Sequence, residues 1–521
     1  VSGEGPSRGE LAGWGLLLGL LATAVALGPL DGLPHVTDEV SYTLQARLFA
    51  AGERVGPAGD DPSRLLYPFW VSAPASYSPF PFGWPLLLAV GERLGLASLV
   101  NPLLAVLLPG LAAALAGELG VEPAARRLAA AFMALSPGVW VLAASRMSHT
   151  SVLLALALAA LAVARGRTGW SVGLPVAYVV LARPFDALLV GGPLLIASLW
   201  RERRGGLGLL LPCAAATALV GWDNFALTGD PLRFPMDAWF DGWVDPPGVA
   251  GCNRLGFGAD RGCMATLGSF GHSPEKALQI ALDSVTRLDR LLVGLPGVGL
   301  LVLGGAARLR RPEVALLGLL IVGGYALYWS PGLAYGARLW HPLYLVLPAC
   351  FAAGLHGLLS RLPVRSAGAF GLGALTLGAG LGAGPIVTDL GRAYWCVDRS
   401  LEALLAERGI EEGVVLLAGS GTRRVAWPAL GVEEFACDAT LEGGDGFVFL
   451  DPTRSHGGLQ PRFAPPNGDA ARIWLGERQP GVPAWALLHD IPTDRRRVQA
   501  LTTGAPADAP IPAAPASGAP R

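Results

Sequence analysis

The sequence predicts an all-helical polytopic membrane protein with a small α/β domain at its C-terminal end. Three observations lead there. The 521 residues are 52% hydrophobic and only 15% charged, with a mean hydropathy of +0.47, outside the range of soluble globular chains. Apolar stretches of membrane-spanning length recur along the first three quarters of the chain. Beyond residue 386 the pattern shifts to short buried strands and one helix. A net charge of −1 carries no signature of nucleic-acid binding. The basic residues are nearly all arginine, and Lys276 is the single lysine.

A span needs roughly 20 apolar residues. The candidates are 11–30, 99–118, 127–144, 149–164, 170–182, 185–200, 206–225, 291–306, 313–330, 343–360 and 367–386, about eleven in all. The first reads as an uncleaved helix rather than a signal peptide, because its positive flank is weak and further spans follow. Arginine-rich connections follow the second, fourth, sixth, eighth and tenth spans: Arg126 and Arg127; Arg165 and Arg167; Arg201, Arg203 and Arg204; Arg308, Arg310 and Arg311; Arg361 and Arg365. The positive-inside rule places these in the cytoplasm. The N-terminus is then inside. Two long loops, 31–98 and 226–290, and everything after 386 are outside. The short apolar piece 82–96 lies along the outer surface in this reading. The stretch 170–200 splits at Arg183-Pro184, where proline ends a helix.

Directly after the first span comes His35-Val36-Thr37-Asp38-Glu39, two adjacent carboxylates at a membrane boundary. Such a pair is costly at that depth without partners or a task. It also begins a helix-like segment, where negative charge suits the helix dipole, so capping is the bland alternative. An aromatic and proline-rich stretch follows, Ser78-Pro79-Phe80-Pro81-Phe82-Gly83-Trp84-Pro85; interfacial anchoring is its plain reading and the wall of a sugar or lipid pocket its functional one. Cys252 and Cys263 in the second outer loop, and Cys396 and Cys437 in the tail, are disulfide candidates in an oxidising compartment, although spacing alone does not fix pairing. Cys213 and Cys350 fall inside spans. In the tail, 401–408 reads as helix and 413–417 and 446–450 as strands; 502–521 is Ala/Pro-rich and expected to be disordered.

The outer polar inventory is short: His35, Asp38, Glu39, Arg146, His149, Arg183, Asp186, Tyr335, Arg338 and His341. A carboxylate among apolar walls suits a general base. Arginines on helix ends hold phosphate through charge-assisted, often bidentate hydrogen bonds. A base beside phosphate clamps at the outer leaflet fits transfer from a lipid-linked phospho-sugar, the arginines stabilising the departing phosphate. Snorkelling of Arg146, Arg183 and Arg338 to the interface is the bland counter-reading, and Asp186 serves to neutralise Arg183. His35, Asp38 and Glu39 also offer ligands to a divalent metal, but nothing fixes a ligand set.

These features together resemble the GT-C superfamily of membrane glycosyltransferases, near the protein O-mannosyltransferases and the lipid A aminoarabinose transferase. Asp38-Glu39 resembles the acidic motif of that family's first outer loop, Ser78 to Pro85 its proline-rich turn before a surface helix, and Tyr335-Gly336-Ala337-Arg338 its late arginine motif. The likeness covers roughly residues 10–385. It implies Asp38 as catalytic base with Glu39 beside it, and Arg338, Arg183, Arg146 and Tyr335 toward the donor phosphate. His149 stands where many relatives carry a second acid, in Ser145-Arg146-Met147-Ser148-His149. His35, Tyr42, Trp84 and His341 are the candidates for an acceptor or sugar pocket. The donor implied is a polyprenyl-phosphate sugar, and the acceptor a glycan, lipid or protein hydroxyl. The implied location is a bacterial inner membrane, with residues 1–386 as the membrane domain and 387–501 as a small periplasmic domain. Two other classes compete: a transporter or flippase of lipid-linked saccharide, and a non-catalytic envelope scaffold.

Overall fold

In the computed structural model, residues 4–58, 69–71, 74–201, 206–242, 250–263, 271–360, 364–410, 413–420, 423–437, 459–463, 484–490 and 495–501 are described. Helix α1 (Arg8–Leu27) starts at Ser7, whose hydroxyl accepts the Glu10 N–H at 3.1 Å and so satisfies one orphan donor of the first turn. Its Leu16, Leu20 and Leu27 are more than half exposed, the face a lipid-facing helix presents. Helix α2 (Thr37–Ala51) opens with the acidic pair and is almost wholly buried. Helix α3 (Gly83–Leu94) has 12 residues, about 18 Å at 1.5 Å per residue, too short to span. It buries Trp84, Leu88 and Ala89 and exposes Leu86, Val90 and Leu94 on one face, as a surface-lying helix does.

Helices α4 (Val100–Ala105), α5 (Leu108–Glu118), α6 (Arg126–Leu135), α7 (Pro137–Ala144), α8 (His149–Ala164) and α9 (Trp170–Ala182) follow. Arg183 then leaves helical geometry (φ −148°), and Pro184 starts α10 (Pro184–Asp186), which runs through a π turn into α11 (Gly192–Arg201). The second half contains α12 (Gly206–Thr228), α13 (Pro235–Gly242), α14 (Pro274–Val293), α15 (Val298–Leu309), α16 (Pro312–Ala326), a 3-10 helix Arg338–Leu345, α17 (Leu347–Leu359) and α18 (Val364–Leu390).

The helices do not confirm the expected count of about eleven spans. Among the described residues four helices are long and apolar enough to cross a membrane: Arg8–Leu27, Ala97–Glu118, Gly206–Thr228 and Gly371–Cys396. Three bent pairs raise this to seven if each is one span. The discrepancy has local causes. The expected span 127–144 bends by 44° at Ser136-Pro137, because proline removes a helix donor. The expected span 291–306 is a 92° corner between amphipathic α14 and α15, turned by Gly294 and Gly297 at positive φ. The expected span 343–360 enters through a 3-10 helix at 62° to α17. Helices α8, α9 and α16 are apolar but hold only 16, 13 and 15 residues.

Packing is densest where α15 crosses α17. A Cβ on Gly305 would meet the Cys350 carbonyl oxygen at 1.7 Å, and one on Gly354 the Leu301 oxygen at 2.0 Å. Only glycine permits that backbone approach, the small-residue contact common between membrane helices.

After α18 the chain turns tightly at Tyr394–Cys396 into α19 (Ser400–Glu407). Strands β1 (Gly413–Ser420), β4 (Leu459–Phe463), β5 (Ala484–Asp490) and β6 (Arg495–Leu501) form one sheet in the order β4-β1-β5-β6; β2 (Arg423–Trp427) and β3 (Val432–Cys437) form an antiparallel pair. β1 lies parallel to β4 and β5, and β6 is antiparallel. Val415 and Leu417 of β1 share a core with Leu33, Val40, Leu44 and Leu48, so this sheet packs on the helix that carries the acidic pair. Cys252–Cys263 and Cys396–Cys437 are both disulfides. The expected strand 446–450 and the tail 502–521 lie outside the described residues.

Candidate active site

The two adjacent carboxylates do different things. Glu39 is fully buried and its oxygens are filled. Oε2 accepts the backbone N–H groups of His35 and Val36, each at 3.0 Å, and the Tyr335 hydroxyl at 2.8 Å. Oε1 accepts the Arg146 N–H. Two of these donors are the free N–H groups at the entry to α2, so the capping reading holds for Glu39; the other two arrive from loops more than a hundred residues away. Glu39 is a bolt joining three segments and has no oxygen to offer a substrate. Burial and the neighbouring Glu39 charge push the Tyr335 hydroxyl well above its ordinary range, so it stays a donor. Tyr335 sits at φ +57°, held by its N–H on the Tyr394 hydroxyl at 2.8 Å. Its expected place at the donor phosphate is therefore taken by Glu39.

Among the described residues Asp38 accepts one hydrogen bond, from Arg338 Nη1 to Oδ2 at 2.9 Å. Oδ1 has no donor among the described residues. The ion pair is buried, with side-chain exposures of 14% for Arg338 and 11% for Asp38. Around it lies a group of buried polar atoms without partners: Arg338 Nε, Ser148 Oγ, both ring nitrogens of His149, and His341 Nε2. The two imidazoles are 6.1 Å apart, edge to face. His149 lies in the field of Arg183, Arg338 and His341, and Arg338 Nη1 is 3.9 Å from Met147 Sδ. The N-terminus of α8 and the 3-10 helix thus meet over the first turn of α2. Buried polar atoms are paired in the great majority of cases, and each one left over calls for a ligand, an ion or water. Such atoms on His149, Arg338 and His341, in the segments that meet the first turn of α2, define a polar site beside Asp38.

Other expected site residues are placed differently. Arg183 donates to Asp186 and, at 3.0 Å, to the Tyr325 hydroxyl, which in turn donates to Asp186 at 2.7 Å; its partner is the bland one, although it faces His149. Arg146 gives both Nη groups to protein acceptors and keeps only Nε unpaired among the described residues. Nη1 reaches Thr43 Oγ1 at 3.2 Å and Glu92 at 3.3 Å, and Nη2 reaches the Gly32 carbonyl at 2.8 Å and Ser98 Oγ at 3.0 Å. Trp84 is a core residue, wholly buried, with its indole N–H on the Arg146 carbonyl at 2.8 Å. His35 bridges the carbonyl oxygens of Tyr394 (2.7 Å) and Leu30 (3.0 Å), which turns it away from the Asp38 carboxylate. Among the described residues no three His, Cys, Asp or Glu side chains converge as metal ligands. Tyr42 packs on Phe80 at 4.7 Å with its hydroxyl toward Asp38 and Ser148, within the site.

The reading from sequence did not single out Ser148, Tyr394 or Glu92. Ser148 carried a signal, since it directly precedes His149; Tyr394 carried a weaker one, in an aromatic pair beside Cys396.

No family model and no curated protein matches the chain. Among solved structures it is similar to the oligosaccharyltransferase of Archaeoglobus fulgidus in the apo form, at 12% identity and a TM-score of 0.37, over 92% of this chain and 69% of that one.

Proposed function

We propose that this chain is an integral membrane glycosyltransferase of GT-C type that moves a sugar from a polyprenyl-phosphate donor to an acceptor hydroxyl. The observation that carries the reading is Asp38 Oδ1, which has no donor among the described residues, on a carboxylate whose Oδ2 is held by an Arg338 that keeps its own Nε unpaired. A base needs a free oxygen within reach of the proton it takes, and Asp38 has one where Glu39 has none.

In the proposed reaction the acceptor hydroxyl gives its proton to Asp38. Its oxygen attacks the anomeric carbon as the bond from that carbon to the phosphate oxygen breaks. The electron pair leaves with the polyprenyl phosphate, and the sugar carbon inverts. Arg338 is the first phosphate ligand, through Nε and the guanidinium edge turned from Asp38; Arg183 adds positive field behind it. Arg338 thereby holds the donor phosphate on one edge and the base on the other, which keeps the two in register. His149 and His341 position the acceptor, with Tyr42 and Ser148 at the wall. Arg146, Trp84, His35 and Tyr335 support the site without touching substrate.

The reading includes a topology of about eleven crossings, several short or bent, with the N-terminus cytoplasmic. The site and the tail sheet face the periplasm of a bacterial inner membrane. The acceptor is a glycan, lipid or protein hydroxyl. The test is transfer from a panel of polyprenyl-phosphate sugars by the purified protein, with the anomeric configuration of the product read by NMR. Inversion with release of polyprenyl phosphate supports the reading; a retained configuration overturns direct displacement with Asp38 as base.

A further inference from the structure

The end of the helical body opposite the acidic pair holds a second polar cavity that the proposed reaction does not use. Its location follows from α1. The N-terminal end of that helix meets the segment after α5: Arg127 donates to Glu10 at 3.1 Å, and a Cβ on Gly5 would lie 3.7 Å from the Pro123 oxygen. Asp38 lies past its other end, and 20 residues of helix separate the two by about 30 Å.

The cavity has a volume of about 230 Å³ and lies between residues 119–125, the corner from α15 to α16, and α17. It is built by the close glycine crossing of α15 and α17. That contact brings the last turn of α15 onto α17, where Gly357 leaves room for the Arg308 guanidinium: a Cβ there would sit 3.0 Å from Arg308 Nη1. On the other wall Arg311 donates Nε to the Leu119 carbonyl at 3.1 Å, which caps the end of α5, and its Nη2 lies over Gly120 at positive φ. Capping uses one of the five Arg311 donors. Arg308 makes no hydrogen bond or ion pair among the described residues, and neither arginine has a carboxylate partner there. The acid that lines the cavity, Glu122, is engaged by His356 Nε2 at 3.0 Å.

Two exposed guanidinium groups that line one cavity, with no carboxylate partner among the described residues, offer the charge and the donors that a phosphate group takes. We infer that this cavity binds a phosphate group of net negative charge, as an anionic lipid headgroup carries, with Arg308 and Arg311 as its clamp. The general attraction of basic pockets between membrane helices for anionic lipid headgroups favours the same ligand chemistry. The site is independent of the reaction proposed above.

The full chain is reconstituted in phosphatidylcholine nanodiscs doped with phosphatidylglycerol, and lipid retained by the protein is read by native mass spectrometry. The wild type is expected to retain phosphatidylglycerol over phosphatidylcholine. Arg308→Gln and Arg311→Gln should each lower that preference about fivefold. Gly357→Ala, which keeps both charges but displaces the Arg308 guanidinium, should lower it as well. Inorganic phosphate is the competitor. Retention that phosphate leaves intact assigns the site to a lipid headgroup; displacement by phosphate assigns it to a free phosphate group. Equal retention of the two lipids with no phosphate binding overturns the inference. So does unchanged preference in the double arginine variant, shown folded by its elution and melting temperature.

Discussion

Asp38 and Glu39 are neighbours in sequence and opposites in chemistry. Glu39 is a buried charge that receives four donors, and each hydrogen bond to a charged group contributes about 1.5–3 kcal/mol. Glu39→Gln is therefore expected to lower the melting temperature sharply in detergent, and a melt matching the wild type would contradict the role assigned. Tyr335→Phe removes one donor to a charged acceptor, at a cost of about 1.5–3 kcal/mol. It should reduce stability less than Glu39→Gln does and leave donor binding in place. Little of this division was legible in the chain. Every charge at a membrane boundary looks alike in sequence, whether it serves as clamp, cap or base. What separates Arg338 from Arg146 is that one meets a single carboxylate oxygen and the other meets Thr43, Glu92, Gly32 and Ser98. Those partners lie between 48 and 114 residues from Arg146, and no local pattern announces them.

The elements were easier to read where a residue type forces the backbone. Proline after Arg183 marks the break between α9 and α10, and 12 residues of apolar pattern in α3 place it on a surface. The corner at Gly294–Gly297 and the 3-10 helix Arg338–Leu345 escaped notice because apolar composition continues through both, and composition does not report a bend. Glycine is likewise ambiguous in a chain this rich in it. Gly354 becomes informative only once the Leu301 carbonyl is seen 2.0 Å from its would-be Cβ. Gly354→Leu should push α15 off α17 and destabilise the protein by about 3 kcal/mol. Thermal unfolding tests this, with Gly304→Leu, where nothing crowds the added side chain, as the tolerated control. The Cys396–Cys437 disulfide closes a 41-residue interval, which by chain entropy is worth about 4 kcal/mol. Cys437→Ser should raise hydrogen exchange in β2 and β3 ahead of the helices; exchange unchanged there would show that packing of Trp427 and Phe435 suffices without the bond.

The molecule as a whole joins a helical body to a small sheet through the helix that carries the site. Leu33, Val40 and Leu44 share one core with Val415 and Leu417, and Tyr394 of the same C-terminal region holds both His35 and Tyr335. The tail is thus part of what positions the acidic pair. The shift in composition after residue 386 disclosed a separate architecture, and long-range packing of this kind is what it left hidden. The proposed sidedness has its own check. Arg310→Cys and Arg424→Cys, both at exposed positions, should react with an impermeant thiol reagent from opposite sides of sealed vesicles, and labelling from one side would overturn the proposed topology.

The central claim is that Asp38 takes the acceptor's proton while Arg338 holds the donor phosphate. The most direct measurement is single-turnover release of polyprenyl phosphate by Asp38→Asn beside the wild type, with donor affinity measured on both. Asparagine keeps an oxygen for Arg338 and loses the base. The account predicts donor affinity within a few-fold of the wild type and a rate lower by about 100-fold or more. Equal rates in the two proteins would contradict it and leave the open oxygen of Asp38 without a chemical role.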